Sequence, residues 1–164
     1  MTLILKTLAF LLIVPGTVAM VLPWTLVRMR SNDPPLPVGS WRYAGVLLMI
    51  FGAAAYVRCA IDLARFGQGI PAPIEPTRFL VRSALYRHVR NPMYLASSLF
   101  LFGEALAWAH GILLLYVAAV MACYHPAVVY VEEPALRKRF GEHFERYCAQ
   151  VPRWLPRLRS ARIR

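Results

Sequence analysis

The feature that most constrains the fold of this chain is a series of four apolar runs, each about as long as a membrane span. They cover residues 7–27, 41–61, 92–110 and 111–131 of the 164-residue sequence. A helix needs about 20 apolar residues to cross the roughly 30 Å hydrocarbon core of a bilayer. The first run contains no charged residue over its full length. The pattern predicts an all-α integral membrane protein with about four transmembrane helices.

The composition excludes an ordinary soluble domain of this size. Hydrophobic residues make up 59% of the chain and charged residues only 16%, whereas soluble domains carry about 25% charged residues. The three cysteines, Cys59, Cys123 and Cys148, form no CxxC pair, which argues against a disulfide framework or a structural zinc site. We therefore expect no bound metal.

The first run has one alternative interpretation. A cleaved signal peptide also carries an apolar segment after a basic residue, which here would be Lys6. The run is longer than the apolar part of most signal peptides, and it lacks a good small-x-small cleavage motif. We therefore expect a transmembrane helix, and the sequence leaves open whether Pro15 breaks it.

The basic residues predict how the helices are oriented in the membrane. The net charge is +11, and the Lys and Arg residues flank apolar runs rather than covering a polar domain. This placement argues against nucleic-acid binding and fits the positive-inside rule and contact with anionic lipids. Residues 62–91 hold five Arg and the segment from Glu132 onward holds nine Lys or Arg, against three Arg in residues 28–42. We therefore expect both termini and both basic segments in the cytoplasm.

The second half of the chain predicts a helical hairpin followed by an amphipathic helix. Almost nothing separates the third and fourth runs, so they predict a tight transmembrane hairpin. Beyond them, Leu136, Phe140, Phe144 and Tyr147 are spaced by four, four and three residues and share one helical face. A helix of this kind lies along the cytoplasmic membrane surface or caps the bundle.

Residues 86–94 form the most distinctive polar segment, Tyr-Arg-His-Val-Arg-Asn-Pro-Met-Tyr. It directly precedes the third run, and Pro92 suits the first turn of a helix. The positive end of that helix can hold a carboxylate or phosphate with help from a flanking arginine. A basic flank that only sets topology is the simpler explanation, but such a flank requires neither His88 nor Asn91. The segment is therefore a candidate binding site.

A pair of acids, Glu132 and Glu133, closes the fourth run on its basic side. One interpretation is structural, because acids next to Pro134 suit the N-terminus of the following helix. The other is that one or both bind a cationic or hydroxylated ligand. Since the topology puts this pair and residues 86–94 on the same side, we expect the two clusters to face one pocket.

A few polar groups lie inside or at the ends of apolar runs. A charge such as Glu104 within a span usually faces the bundle interior, where it is either a hydrogen-bonded helix contact or a functional group. His125 is either a core histidine or part of the pocket. Arg58 and Asp62 are four residues apart and can pair on one helix face.

These motifs together resemble the isoprenylcysteine carboxyl methyltransferase and phospholipid methyltransferase superfamily over about residues 60–157. The resemblance rests on five stretches: residues 67–73, residues 86–94, Glu132-Glu133, Phe140–Tyr147 and Val151–Pro156. The family motif often reads Arg-His-Pro-x-Tyr. In this chain Asn91 precedes Pro92, and His88 occurs earlier, which makes the role of His88 less certain than that of Pro92.

The resemblance implies a membrane-embedded methyltransferase that uses S-adenosylmethionine from the cytoplasm. Carried over by position, the cofactor-binding residues are His88, Arg90, Asn91, Pro92, Tyr94, Glu132 and Glu133. Arg90 and His125 are the candidate catalytic residues, the histidine serving as a base for an acceptor that must lose a proton. Residues 1–62 would then be two N-terminal spans, residues 63–157 the catalytic region and residues 158–164 a basic tail, within one structural domain.

The resemblance leaves the methyl acceptor open. It implies a lipophilic small molecule or a prenylated substrate, and we expect the carboxylate of an isoprenylcysteine-like group. A phospholipid or another lipophilic amine or thiol is the alternative. Related membrane reductases bind NADPH instead, but the adjacent acids at positions 132 and 133 would repel its added phosphate. A non-catalytic membrane scaffold is a further alternative, and the oligomeric state stays open.

Overall fold

The computed structural model describes residue 13 and residues 15–67, 79–82 and 84–157, and this part of the chain is helical without any strand. The all-α prediction is confirmed for these residues. The helices are α1 (Thr17–Met29), α2 (Trp41–Gly67), α3 (Pro92–Trp108), α4 (Gly111–Phe140) and α5 (Glu142–Gln150), with a 3₁₀ turn at Ala84–Arg87. Residues 68–78 and 83 of the basic segment 62–91 lie outside the described residues.

Two of these helices, α2 and α4, are long and apolar enough to cross a membrane, with 27 and 30 residues. Helix α3 has 17 residues, which is the lower limit for a span, and α1 is a shorter apolar helix. Seven of the 21 residues of the first run, residues 7–12 and 14, lie outside the described residues, and α1 begins at Thr17. A four-span bundle therefore stays a prediction.

Helices α2 and α3 pack along a seam of small residues. Gly45, Gly52 and Cys59 recur every seven residues on α2 and are buried, and Ala96 and Gly103 have the same spacing on α3. A Cβ at Gly45 would lie 2.6 Å from the carbonyl oxygen of Gly103, and one at Gly52 would lie 2.8 Å from that of Ala96. Small residues let membrane helices approach until their backbones touch. Side-chain size, rather than polarity, therefore determines which faces of these helices meet.

A two-residue turn joins α3 to α4 at the end of the bundle that also carries the 30–40 loop. Ala109 takes the left-handed conformation, with φ 53°, and so reverses the chain between the helices. Its carbonyl accepts a 2.7 Å hydrogen bond from the Leu36 N–H. The neighbouring His110 ring lies 3.1 Å from the carbonyl oxygen of Arg30. These contacts tie the loop to the turn.

The outward face of α2 is apolar. Its large exposed side chains are Val46, Leu47, Ile50, Phe51 and Val57. A soluble protein buries a surface of this kind against a core, whereas lipid tails accommodate it directly. The long helices therefore fit a membrane protein by their surface as well as by their length.

Two sequence expectations about charged residues in the helices are confirmed. Glu104 is only 3% exposed, so its side chain faces the bundle interior. At the other end of α2, Arg58 Nε donates to Asp62 Oδ2 at 3.3 Å. Asp62 is 1% exposed while Arg58 remains accessible, so the pair neutralises a buried acid.

The fourth apolar run continues into the tail as one long helix that changes its winding. Pro126 lacks the N–H that an α-helix requires, and a π-helical turn follows it at Ala127–Glu132. The α-helical winding resumes at Glu133. Glu132 and Glu133 therefore lie where two windings meet, a kind of position that is frequent at functional sites.

The tail forms a break and a second helix, rather than the single amphipathic helix expected from the apolar spacing. Gly141 ends α4 with φ 51° and ψ −128°, a conformation that residues with a Cβ rarely adopt. The expected apolar residues still pack together, with three added partners: Leu136, Phe140, Phe144, Tyr147, Leu80, Cys148 and Val151. Their shared face is confirmed, but the turn at Gly141 contributes to it as much as helical periodicity does.

Candidate functional site

The two polar clusters expected to face one site lie side by side. Arg90 Nη1 donates to Glu133 Oε1 at 3.0 Å, and the Tyr94 hydroxyl donates to Glu132. These contacts join the start of α3 to α4 across 43 and 38 residues of sequence. The structure therefore brings the two clusters together at the end of the bundle opposite the Ala109 turn.

Glu133 is the centre of an ionic cluster with three arginines. Arg153 donates to both of its oxygens, at 2.6 and 3.0 Å. Arg90 and Arg137 donate one hydrogen bond each, at 3.0 and 3.3 Å. Glu133 is 3% exposed, so its two oxygens are fully occupied by buried or half-buried guanidinium groups. This arrangement makes Glu133 the anchor of the site rather than a free ligand for a small molecule.

Arg90 is held firmly but keeps one free donor. Its Nη1 also lies 3.0 Å from Cys148 Sγ, and burial raises the pKa of that thiol. Cys148 therefore meets Arg90 as a neutral thiol. The Arg90 side chain is 13% exposed, and its Nε is buried without a partner among the described residues. A buried guanidinium N–H of this kind is available to an acceptor atom that the chain itself does not supply.

Glu132 lies in a different environment from its neighbour. It is partly buried, it accepts the Tyr94 hydroxyl, and no Lys or Arg of the described chain pairs with it. Tyr94 packs on Tyr124 with ring centroids 4.5 Å apart. Ser97 Oγ lies 3.0 Å from the Tyr124 hydroxyl and so holds that second ring. The carboxylate of Glu132 therefore contacts one ring of an aromatic pair, and no cation among the described residues compensates it.

Trp154 extends this aromatic group from the C-terminal side. Its ring is edge-on to Tyr94 at 6.4 Å and lies 6.1 Å from the His125 ring. Its indole N–H donates to His125 Nδ1 at 3.2 Å. Because that nitrogen accepts a hydrogen bond, the neutral histidine carries its proton on Nε2. The aromatic wall thus connects α3, α4 and the segment after α5.

The segment after α5, residues 152–157, is tied to the chain just before α3. The Arg90 N–H donates to the Pro152 carbonyl at 2.9 Å, and Asn91 Nδ2 donates to the Arg153 carbonyl at 3.2 Å. His88 Nδ1 lies 2.7 Å from the Arg157 carbonyl oxygen, so this nitrogen carries the proton and Nε2 has the lone pair. The predicted site residues His88 and Asn91 therefore contact the protein's own backbone in this structure.

The expected helix start at Pro92 is confirmed, since α3 begins there with Asn91 as its N-cap residue. Asn91 does not cap the helix with its side chain, because its amide is used by the Arg153 carbonyl. Pro92 is buried. The first amide groups of α3 therefore receive no side-chain cap from this position.

Sequence reasoning brought together the right segments but missed several of their contacts. Arg137, Arg153, Tyr124 and Trp154 were not singled out as site residues. The stretch that contains Arg153 and Trp154 was used only as a family motif. One signal could have identified Arg153 and Trp154. They are a basic and an aromatic residue between two prolines, Pro152 and Pro156.

A shallow hollow of about 390 Å³ lies at the opposite end of the bundle, lined among others by Arg30, Asp33, Leu36 and Leu115. It is formed by the 30–40 loop and the start of α4. None of the predicted site residues lines it. The chemistry of the polar cluster therefore has no connection with this hollow.

Comparison with known families supplies the identity of the fold. Residues 41–143 match the phospholipid methyltransferase family. The chain belongs to the phospholipid methyltransferase family. This assignment supports a membrane methyltransferase, in agreement with the two long apolar helices. No curated protein matches the chain.

The matched range of the phospholipid methyltransferase family includes both polar clusters of the site. It ends before residues 152–157, which contribute Arg153 and Trp154. The acidic and aromatic groups on α3 and α4 therefore belong to the family match, whereas the segment that lies against them is outside it.

Proposed function

We propose that this protein transfers a methyl group from S-adenosylmethionine to a lipophilic acceptor at the cytoplasmic face of the membrane. The observation that carries the proposal is the pairing of two unlike sites at the start of α3. One is the Glu132 carboxylate, which accepts the Tyr94 hydroxyl. The other is the Arg90 Nε, which has no partner among the described residues and lies beside the start of α3, where Asn91 provides no side-chain cap.

The residue types fit the chemical groups of this cofactor. Its ammonium and sulfonium groups are cations, which a carboxylate and aromatic faces stabilise. Glu132, Tyr94 and Tyr124 provide that environment. Its carboxylate is an anion, which suits the Arg90 N–H and the first amides of α3. Glu133 serves the site indirectly, because it holds Arg90 and Arg153 in position.

S-Adenosylmethionine, when bound, would supply an electrophilic methyl group. The lone pair of the acceptor attacks the methyl carbon in line, and the carbon–sulfur bond breaks to leave a neutral thioether. The protein's task is then mainly positioning. Tyr94 and Glu132 orient the cationic part, and Arg90 the anionic part. An amine or thiol acceptor also has to lose a proton, and His125 is the nearest candidate base on the aromatic side. His88, whose Nε2 lone pair is uncommitted, is the second.

The charges of the site favour an amine among the possible acceptors. The isoprenylcysteine carboxylate expected from the resemblance would need a free cation next to the aromatic group. The neighbouring arginines at positions 90, 137 and 153 are all engaged by Glu133. Glu132 faces the cations of the cofactor, so the choice of acceptor rests on this lack of a free cation and on the match to the phospholipid methyltransferase family. We therefore infer a lipophilic amine, with the prenylated carboxylate as the second candidate.

The proposed topology is a single domain with four spans and cytoplasmic termini. Helices α3 and α4 would form the transmembrane hairpin, with the Ala109 turn outside. The support is the distribution of charge, since residues 84–92 and 132–157 hold eight Lys or Arg, against three in residues 28–42. Cysteine labelling from each side of sealed vesicles, at positions 39 and 143, tests this arrangement.

The function is tested first by equilibrium binding of S-adenosylmethionine and of NADPH to the purified protein in nanodiscs. We expect saturable binding of S-adenosylmethionine alone. Glu132→Gln should weaken it roughly threefold to tenfold, because a charge-assisted contact is lost. Glu142→Gln is the matched control, since that acid is 92% exposed and distant from the aromatic group. Binding of NADPH alone would point to a reductase, and binding of neither by folded protein would point to a scaffold.

The acceptor class is tested by the stability of the product. Protein in lipid vesicles is supplied with methyl-labelled cofactor and either an amine-headgroup lipid or a prenylcysteine. A methyl ester releases labelled methanol in mild base, whereas an N-methyl group does not. Base-stable label in the lipid would support an amine acceptor. Base-labile label that depends on the prenylcysteine would overturn it in favour of the carboxylate.

A further inference from the structure

We propose that residues 152–157 form a movable strap whose Trp154 masks the basic nitrogen of His125, so that release of the strap exposes both the base and the aromatic site. The masking and the movement are properties of the chain itself. Their meaning for catalysis rests on the proposed function.

The strap is attached by polar contacts rather than by packing into the core, and the strongest of them is the ion pair of Arg153 with Glu133. Its backbone receives the Arg90 N–H at Pro152 and the Asn91 amide at Arg153, and at its other end Arg157 exchanges two hydrogen bonds with His88. Beyond Trp154 the side chains are exposed, with Leu155 80% accessible. Because the strap has few buried apolar contacts, its opening costs mainly these polar contacts, including the Arg153–Glu133 pair, and less than global unfolding.

Trp154 is the residue through which the strap reaches the chemistry. Its indole N–H occupies the lone pair of His125 Nδ1 at 3.2 Å. The other ring nitrogen, Nε2, then carries the proton and offers only a donor. As long as this hydrogen bond is made, neutral His125 has no free lone pair with which to accept a proton. Trp154 is thus a positioning residue that acts through His125.

The strap also uses polar groups expected to serve a ligand. The side chains of Asn91 and His88 contact strap carbonyls, and Arg153 binds Glu133. Ligand binding and strap contacts therefore involve the same short segment before α3. A ligand that enters between Tyr94 and Trp154 therefore has to displace the strap.

The masking is tested by modifying histidines with diethyl pyrocarbonate, which reacts with an unprotonated ring nitrogen, and by locating the product with mass spectrometry. Trp154→Phe keeps an aromatic ring but removes the N–H donor. We expect the variant to raise the modification rate of His125 roughly threefold to tenfold, as befits the loss of one hydrogen bond. His143, which is exposed on α5, is the internal reference in every sample.

Trp41→Phe is the matched control, because Trp41 is 70% exposed near the opposite end of the bundle. It should leave the reactivity of His125 unchanged. Equal reactivity of His125 in the wild-type protein and in Trp154→Phe, with unchanged thermal unfolding, would overturn the masking.

The movement is tested by limited trypsin digestion, in which the rate of cleavage after Arg153 is measured. Asn91→Ala removes one attachment of the strap and should speed this cleavage roughly threefold to tenfold. Cleavage after Arg146, which is 66% exposed on α5, should keep its rate. An unchanged rate after Arg153 would overturn the strap as a movable element.

The two proposals can fail separately. If neither the wild-type protein nor its variants bind S-adenosylmethionine, but Trp154→Phe still exposes His125, the proposed function fails and the strap stands. If the cofactor binds, the strap predicts faster association with Asn91→Ala than with the wild-type protein. Equal association rates would overturn the strap as a gate while leaving the methyltransferase proposal intact.

Discussion

The seam between α2 and α3 and the polar end of the bundle are stabilised by opposite physical means. Along the seam, backbones touch at Gly45, Gly52 and Gly103, where a Cβ would come within 2.6–2.8 Å of the facing backbone. At the polar end, the buried carboxylate of Glu133 is surrounded by three guanidinium groups. The first contact depends on shape and the second on charge.

The difference follows from the surroundings of each region. Within a bilayer, lipid tails are as apolar as the side chains, so helices associate through close packing rather than through the hydrophobic effect. At the polar end, segments distant in sequence have to be held in a defined orientation, and hydrogen-bonded charges provide direction. The helices of a packed seam have to separate as a whole, whereas a strap held by a few polar contacts can detach one contact at a time.

The largest loss of stability, and so the strongest test of this comparison, is expected from Glu133→Gln. The substitution leaves three guanidinium groups around a neutral side chain, and breaking a buried ion pair in this way lowers the free energy of unfolding by about 3 to 5 kcal/mol. Thermal unfolding in detergent measures it. Glu145→Gln is the control, because Glu145 pairs with Arg137 but is 57% exposed. Equal losses from the two variants would show that burial of Glu133 is unimportant.

The next largest effect is expected from Gly103→Ala, which tests the seam. The added Cβ would lie 2.6 Å from the carbonyl oxygen of Gly45, so α2 and α3 have to separate. The cost of such overpacking is about 1 to 3 kcal/mol of the free energy of unfolding. Gly16→Ala serves as the control, since no atom lies within 4 Å of the new Cβ there. If both variants unfold at the wild-type temperature, backbone contact does not determine the seam.

The smallest effect concerns the turn between α3 and α4, at the end opposite the site. Here the substitution is expected to raise the free energy of unfolding rather than lower it. Ala109 adopts φ 53°, which is strained for a residue with a Cβ. Ala109→Gly should therefore stabilise the protein by about 0.5 to 1 kcal/mol. Ala107→Gly, two residues earlier within α3, should destabilise it by about 1 kcal/mol because glycine is a poor helix former. Effects of the same sign at both positions would contradict the left-handed turn.

The fold was predictable where the apolar composition of a segment decides its structure. The apolar runs predicted α2, α3 and α4 with nearly correct starts at Trp41, Pro92 and Gly111. The tail was predicted less well, because periodicity alone does not register that Gly141 interrupts the helix. The α2–α3 seam was not predicted, since glycines among apolar residues give no periodic signal of polarity.

The candidate site was predictable in its parts and not in its contacts. Residues 86–94 and the two acids were identified because His, Asn-Pro and paired Glu are unusual beside a membrane span. The different roles of the two acids were not predictable, because Glu132 and Glu133 are chemically identical and adjacent. Only their neighbours distinguish them: Tyr94 for the first, and Arg90, Arg137 and Arg153 for the second.

The sequence by itself determined that the chain is a helical membrane protein with a concentrated basic end and a polar cluster at the start of α3. These properties follow from composition and local order, and each residue contributes to them independently of its partners. Only the tertiary structure decided that Arg153 and Trp154 return to α4, that Glu133 is an anchor, and that Trp154 donates a hydrogen bond to His125 Nδ1. Such contacts join residues 20 to 60 positions apart, and they depend on directional hydrogen bonds that a linear pattern does not encode.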